Sequence, residues 1–414
     1  MSKVVVIGAG PAGMMTAICA KENGNEVCLI EKNSNVGKKL NITGKGRCNI
    51  TYVGDNDKFL NNICTNSKFG ISSINAFNNL DLISFLERLN VKVKEERGAR
   101  VFLASDDARE LTNKLEKYIR AIGVNILRGQ EVKKILIESG KVVGVLTTAG
   151  KIACDKVVIA TGGKSYPVTG SNGSGYDLAK EVGHTIITPK PALVPIILKE
   201  KEICKKLEGL TLKNVKIRVV CNEKEIYNDF GEMIFTHNGI SGPIILSASS
   251  KLNKYVDNNR NNGDKQIEII VDLKPALTEK ELYERITRDF DKYCNKEYKN
   301  SLSDLLPKSL IPVMIDVSGI EESKKVNQIS KEEKQRLTKL FKEFTFTYEK
   351  LMNIEAGIVT SGGIDVKEIN PKTMQSKIIS GLYFAGEVID IDAYTGGYNL
   401  QIAFSTGYLA GNNI

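Results

Sequence analysis

The 414-residue chain has no Cys-x-x-Cys pair, and its two histidines, His184 and His237, stand far in sequence from every cysteine. Its eight cysteines (positions 19, 28, 48, 64, 154, 204, 221 and 294) therefore offer no ligand spacing for zinc or an iron–sulfur cluster, and no dithiol relay. No metal is expected. Apolar runs are short: none approaches the roughly eighteen unbroken residues that a membrane helix needs, so no membrane partner is expected. The N-terminus has no basic segment followed by an apolar core, because residues 4–7 already read as a strand, and a cytoplasmic location is the expectation. Repeats and low-complexity linkers are lacking too. The net charge is +9, but lysines alternate with acids, as in Lys331-Glu332-Glu333-Lys334, and no basic stripe is interleaved with aromatics. Charge spread in this way describes a solvated surface and argues against nucleic acid as a partner; an anionic small molecule suits the excess better.

What is present begins at the N-terminus. Val4-Val5-Val6-Ile7 is a β-branched run that reads as a buried parallel strand and stops at Gly8-Ala9-Gly10-Pro11-Ala12-Gly13. Met14 to Asn23 reads as a helix, Gly24 ends it, and Val27 to Ile30 forms a second strand ending at Glu31. A lone glycine pattern of this type is weak evidence, but here it follows a strand, opens a helix and has an acid 23 residues past Gly8. In that setting Gly8 permits the turn, Gly10 lets backbone approach a pyrophosphate, and Gly13 lets the helix pack closely. The helix N-terminus offers free N–H groups and positive dipole to phosphate. A carboxylate at Glu31 accepts from ribose hydroxyls and disfavours a 2′-phosphate, so FAD or NAD is expected there, and not NADP.

Along the chain, Leu80 to Leu89 and Ala108 to Ile122 have apolar residues at helical spacing, and Val124 to Leu127 follows as a strand. Val132 to Glu138, Val142 to Thr148 and Lys151 to Cys154 read as a small antiparallel meander, and Val157 to Ala160 returns to a buried parallel strand. From Pro189 the character changes. Val215 to Cys221 and Ile267 to Asp272 alternate like sheet strands, while Leu277 to Phe290, Leu302 to Leu306 and Lys331 to Phe341 are helical and charge-rich. The last sixty or so residues revert to glycine turns and one apolar strand, Gly381 to Ala385. The simplest architecture is an α/β, Rossmann-like nucleotide-binding domain interrupted by an insertion. Its pieces are 1–190 and 344–414, around a β-rich block at 191–275 and a small helical one at 276–343, the final piece including the edge of the β-rich domain.

Four glycine-rich stations fall at or beyond the ends of predicted parallel strands: Gly8 to Gly13, Thr43 to Asn49, Ala160 to Gly163, and Ala385-Gly386-Glu387. That edge is where ligands lie in open α/β sheets. With Lys38-Lys39-Leu40, Gly44-Lys45-Gly46-Arg47-Cys48-Asn49, Arg100-Val101-Phe102, Thr161 to Pro167, Phe235 to Pro243, Ala356 to Thr360 and Thr395-Gly396-Gly397-Tyr398-Asn399-Leu400-Gln401, the chain resembles the HI0933-like or BaiN-like bacterial flavoproteins over nearly its whole length. These are often labelled NAD(P)/FAD-dependent oxidoreductases or the aminoacetone oxidase family. It departs from the family pattern at Leu103 and Tyr52, both at motif edges.

The resemblance implies an FAD-binding domain of the two-domain flavoprotein type, an inserted β-barrel-like domain and a small helical domain. It further implies FAD contacts at Ala12, Glu31, Lys32, Arg47, Asn49, Val132, Gly162, Glu387 and Asn399 to Ile402. With the glycine stations, the candidate cofactor set becomes Gly8, Gly10, Pro11, Ala12, Gly13, Glu31, Lys32, Lys39, Lys45, Gly46, Arg47, Cys48, Asn49, Val132, Thr161, Gly162, Gly386, Glu387, Gly397, Asn399, Leu400, Gln401 and Ile402. A helix from Ile402 to Ala410 would aim its N-terminus at the flavin edge where negative charge develops on reduction. Arg47 is a fixed cation for the pyrophosphate or the reduced ring. Cys48 lacks a nearby partner cysteine and reads as a buried structural thiol, with a redox role as the alternative.

His237, in a glycine-rich loop, is a candidate proton donor, and Tyr394 and Thr395 are the other candidates. His184 reads as a surface or sheet-edge residue. The expected activity is FAD-dependent oxidoreduction of a small molecule, an enone double bond being one family suggestion, with the inserted domain covering the isoalloxazine. Only one dinucleotide fingerprint is present, so NAD(P)H as electron donor would dock transiently over the flavin. Oxidation of a small amine and FAD-dependent RNA modification are the alternatives, and a flavin-bearing sensor a third; the sequence leaves oligomeric state open.

Overall fold

The computed structural model describes residues 1–257 and 266–414, in two compact units: Met1–Ala192 with Asn353–Ile414, and Leu193–Met352. The first unit is built on five parallel strands in the order Leu382–Phe384, Lys156–Ile159, Lys3–Ile7, Glu26–Glu31, Asn125–Arg128. Their near-continuous apolar runs are what a parallel sheet covered on both faces requires. Val4 to Val6 and Val157 to Ile159 are at most 1% exposed. Helix Pro11–Glu22 begins with proline at its first turn, where the missing N–H costs nothing. Helix Ala108–Ala121 buries Leu111, Leu115 and Ile119 on one face and is capped by the Asp107 carboxylate on the Arg109 N–H.

An antiparallel meander, Val132–Glu138, Lys141–Thr147 and Gly150–Ala153, sits beside this sheet. Its first turn puts both Ser139 and Gly140 at positive φ, 48° and 73°, the geometry that a two-residue hairpin loop selects. The closing helix runs from Tyr398 to Asn412, starting four residues earlier than the apolar pattern suggested. Gly397, at φ +96°, makes the turn into it.

The second unit is a closed six-stranded barrel in the order Ile196–Leu198, Gly239–Ser241, Lys224–Thr236, Thr211–Cys221, Ile267–Asp272, Phe344–Leu351. Helices Glu279–Lys292, Leu310–Ser318 and Lys331–Lys342 share its core through Leu282, Ile286, Val313, Met314, Leu337 and Phe341, packed in one cluster with Ile269, Phe344 and Phe346. Leu302 to Leu306 is not helical. The Leu305 and Leu306 N–H groups both reach the Leu302 carbonyl, closing a single turn, and Pro307 then supplies no N–H to continue it. The leucines at helical spacing are buried nonetheless. Among the described residues no helix is long and apolar enough to cross a membrane, and no group of three or more His, Cys, Asp or Glu could hold a metal ion.

His184 is not a surface residue. It is 3% exposed, with Nδ1 3.0 Å from Glu368 and Nε2 2.9 Å from the Ser376 hydroxyl, and its ring meets Phe384 edge-on. The Ser376 hydroxyl also accepts from the Ile378 and Ile379 N–H groups. Its single proton therefore goes to Nε2, and Nδ1 carries the ring proton toward Glu368. Burial holds the imidazole below its usual pKa, against the pull of Glu368.

Candidate functional site

The opening turn is tightly packed on two glycines and open on the third. A Cβ on Gly8, at φ +100°, would lie 2.6 Å from the Ala160 carbonyl oxygen, and one on Gly13 would lie 1.9 Å from that of Gly8. A Cβ on Gly10 would meet no atom within 4 Å. Gly10 is extended, at φ −84° and ψ −176°, which any residue adopts, so neither strain nor crowding by protein requires glycine there. The space beside its backbone is open. No side chain caps helix Pro11–Glu22 at Gly10, so its first N–H groups are left for an anion. The Ala9 N–H donates to Glu31 Oε2 at 2.9 Å, while the Asn33 N–H and amide donate to Oε1 at 2.9 and 2.7 Å. This fixes the carboxylate at the end of its strand.

The closing helix lies alongside the opening one. A Cβ on Gly407 would sit 2.4 Å from the Ala12 carbonyl oxygen, and one on Gly411 would sit 2.7 Å from that of Thr16. The Thr16 hydroxyl lies 2.9 Å from the Ala12 oxygen and 3.1 Å from that of Gly407. Residue 12 matches 407 and 16 matches 411, so the helices are parallel. Ala12 is the second residue of its helix and Gly407 the tenth of its own. At 1.5 Å per residue, the closing helix therefore starts about 12 Å further out. Two positive N-termini face the same way with that stagger. Both lack a side-chain cap. Gly386, whose Cβ would come 2.7 Å from the Ala12 methyl, brings Glu387 to the same crevice.

Most charged candidates are committed to protein partners. Lys39 Nζ lies 2.7 and 3.0 Å from the two Glu387 oxygens and 2.6 Å from the Ser165 hydroxyl. Lys32 donates to the Asn172 side-chain oxygen at 2.7 Å, and burial lowers its pKa against the opposing pull of Glu131 and Glu31. Arg47 pairs with Glu96 at 2.8 Å and Asp106 at 3.6 Å and stands 4.2 Å over the Phe102 ring. Cys48 is fully buried, and burial pushes its thiol up to about 12. Gly44, Lys45 and Cys48 all have φ between +57° and +60°, a strained loop around Gly46 that holds Asn49 inward. The Asn49 amide fits between the Val101 carbonyl and the Gly397 N–H, 3.2 Å from each.

Side chains in the closing motif point into protein. The Asn399 amide bonds the Ala393 N–H and carbonyl at 2.9 and 2.8 Å. Gln401 accepts from the Thr51 hydroxyl at 2.6 Å and donates to Phe77 and Ser405. What Asn399 and Leu400 have to offer a ligand is backbone, whereas the Gly397 N–H and carbonyl are taken by Asn49 and Gln401; Ile402 is buried. Val132, 4% exposed, likewise has only its backbone available. The Thr161 hydroxyl, beside Gly162 at φ +73°, is buried without a hydrogen-bond partner among the described residues. The Tyr394 N–H donates to the Asn62 carbonyl at 3.0 Å, leading into the half-buried Thr395. His237 belongs to the barrel unit, where its side chain is 58% exposed and 2.9 Å from Glu208. Ser165 and Thr360 lie inside the quoted stretches Thr161 to Pro167 and Ala356 to Thr360 but are not among the candidates singled out from the sequence; only the fold joins them to Glu387.

A family model described as HI0933-like protein Rossmann domain matches residues 2–413. The chain is similar to the 3-dehydro-bile acid delta(4,6)-reductase of Clostridium scindens, at 29% identity across 99% of this chain and 98% of that one. It is similar to the ribosomal RNA dihydrouridine synthase of Haemophilus influenzae at 30% identity, covering 98% of this chain and 97% of the relative. Among solved structures, the 3-ketosteroid delta1-dehydrogenase of Sterolibacterium denitrificans superposes with a TM-score of 0.51 at 11% identity, over 99% of this chain and 98% of that one; this likeness concerns the fold alone.

Proposed function

Because the chain belongs to the HI0933-like protein family and is an FAD-dependent oxidoreductase, we propose that it reduces a carbon–carbon double bond conjugated to a carbonyl, with NAD(P)H as the electron source. The observation that carries the cofactor part is the open face of Gly10 beside two uncapped, parallel helix N-termini. The residues suit FAD: the N–H groups of Gly10, Ala12 and Gly13 for the pyrophosphate, Glu31 for the ribose, and the start of helix Tyr398–Asn412 for the pyrimidine edge. The chemistry that FAD supplies when bound is hydride exchange between a nicotinamide and an electron-poor carbon. The chain's own part is to hold and orient, and to stabilise negative charge at the closing helix N-terminus. Tyr394 and Thr395, just before that helix, are the proposed proton donors to the carbon next to the carbonyl, with His237 the third candidate.

Support for the substrate class comes from the relatives' names. A 3-dehydro bile acid with delta-4,6 unsaturation has its double bonds conjugated to a 3-ketone, and dihydrouridine is uridine reduced at the bond conjugated to its C4 carbonyl. Both describe addition of hydride and proton across an electron-poor double bond. A small organic enone is the leading substrate; a uridine of ribosomal RNA is the other reading, resting on the second relative's name alone. The test uses one sample: visible spectrum, anaerobic reduction by NADH and NADPH, reoxidation of the reduced flavin by steroid enones or by ribosomal RNA assayed for dihydrouridine, and, separately, reduction of the oxidised flavin by small amines. A colourless protein that takes up no FAD would end the proposal. Turnover of amines without reduction of any enone or RNA would replace it with an oxidase.

A further inference from the structure

Lys39 was expected to touch the cofactor, yet its ammonium has no donor left to give. Its three protons are matched by three acceptors: Glu387 Oε2 at 2.7 Å, Glu387 Oε1 at 3.0 Å and the Ser165 hydroxyl at 2.6 Å. Glu387 is unevenly engaged in turn. Oε1 also accepts from the Ser165 hydroxyl at 3.1 Å and the Thr360 N–H at 2.9 Å, whereas Oε2 accepts from Lys39 alone among the described residues. A carboxylate oxygen has about two lone-pair directions, so one remains open on Oε2. That oxygen looks onto Gly162, whose Cβ would stand 4.0 Å away. Both side chains are 20% exposed, so neither group of the pair is sealed off from solvent.

We infer that Lys39 is a positioning residue that acts on the ligand through Glu387. It cancels the carboxylate's charge in a crevice built for a dianionic pyrophosphate and leaves Oε2 to accept from a ligand hydroxyl. A phosphate oxygen, having no proton, cannot use that acceptor, so the group recognised there is a polyol or sugar hydroxyl. Ser165 and Thr360 fix the carboxylate's other oxygen, which sets the direction of the free lone pair. The inference rests on the FAD reading, and it separates two effects that a simple structural clamp would not: charge and geometry.

The experiment titrates apo-protein with FAD, following flavin fluorescence at low and high salt, for wild type, K39M, K39R, E387Q and K39M/E387Q. K39M leaves a bare carboxylate and is expected to weaken binding about 10-fold or more at low salt, with less loss at high salt. K39R keeps the charge and is expected to stay close to wild type. K39M/E387Q is expected to bind more tightly than K39M, since the second change removes the repulsion that the first exposed. E387Q alone leaves the lysine uncompensated, so its binding is expected to tighten as salt falls, opposite to K39M; this variant decides the matter if K39M does not fold. Additive losses with no salt dependence would overturn the inference and leave Lys39 as a clamp. Failure of the wild type to bind FAD would instead overturn the functional reading.

Discussion

Gly10→Ala separates a folding requirement from a binding requirement. The added methyl meets no protein atom within 4 Å, and Gly10 already has a φ of −84°, so the folded chain accepts alanine without strain. Restricting the unfolded chain should stabilise the apo-protein slightly, by about 0.4–1 kcal/mol. The same methyl would occupy the space where a pyrophosphate meets the helix N-terminus. Losing one or two charge-assisted hydrogen bonds, each of about 1.5–3 kcal/mol, gives a loss near 3 kcal/mol, or about 100-fold in FAD affinity. The assay pairs urea unfolding of the apo-protein with an FAD titration. Gly13→Ala is the control: its methyl would sit 1.9 Å from the Gly8 oxygen, so it should damage stability and binding together. If Gly10→Ala binds FAD as tightly as wild type, no dinucleotide lies over this turn. If it unfolds the protein, the packing argument is wrong.

Three further expectations follow from the geometry. His184 is held neutral by burial, so the unfolded chain takes up a proton near pH 6.5 that the folded chain refuses; its stabilising contribution should be complete above that pH and lost as pH falls toward the lowered folded value. Urea midpoints should therefore fall between pH 7.5 and 5.5, and His184→Gln should flatten the slope; an unchanged slope would refute the assignment. Cys48, with its thiol pushed up to about 12 and fully buried, should resist iodoacetamide at pH 8 in the native protein and react only on unfolding, as read by peptide mass spectrometry. Of Tyr394→Phe, Thr395→Val and His237→Asn, the one that removes the proton donor should lower kcat about 10²-fold or more in steady-state turnover with little change in FAD affinity; equal activity in all three would place the donor elsewhere.

The parallel sheet and its glycine turn were legible because they obey local rules: unbroken β-branched runs, fixed glycine spacing, and an acid one strand later. The meander was legible for the same reason, through alternation and the Ser139-Gly140 turn. Side-chain direction was not. Asn399 and Gln401 sit in a motif that resembles a ligand loop, yet their amides tie the helix entry to Ala393, Thr51 and Phe77, leaving the backbone to face outward. Leu302, Leu305 and Leu306 have helical spacing and are buried, but Pro307 limits them to a turn. His184 follows a Val-Gly pair that looks like a surface turn, and only pairing with Glu368 and Ser376, nearly two hundred residues on, buries it. Arg47 kept its cation but gave it to Glu96 and Asp106, partners that no local pattern announces.

The seating of Gly407 and Gly411 against the carbonyls of Ala12 and Thr16 has a consequence for biosynthesis. Helix Pro11–Glu22 is synthesised long before the surface it packs on. Until translation has passed Asn412, the nascent chain must keep an apolar helix and an edge of its main sheet waiting. If FAD bridges both helix N-termini as proposed, its full grip waits on helix Tyr398–Asn412, and yellow colour in a cell extract would report on chains carried through it.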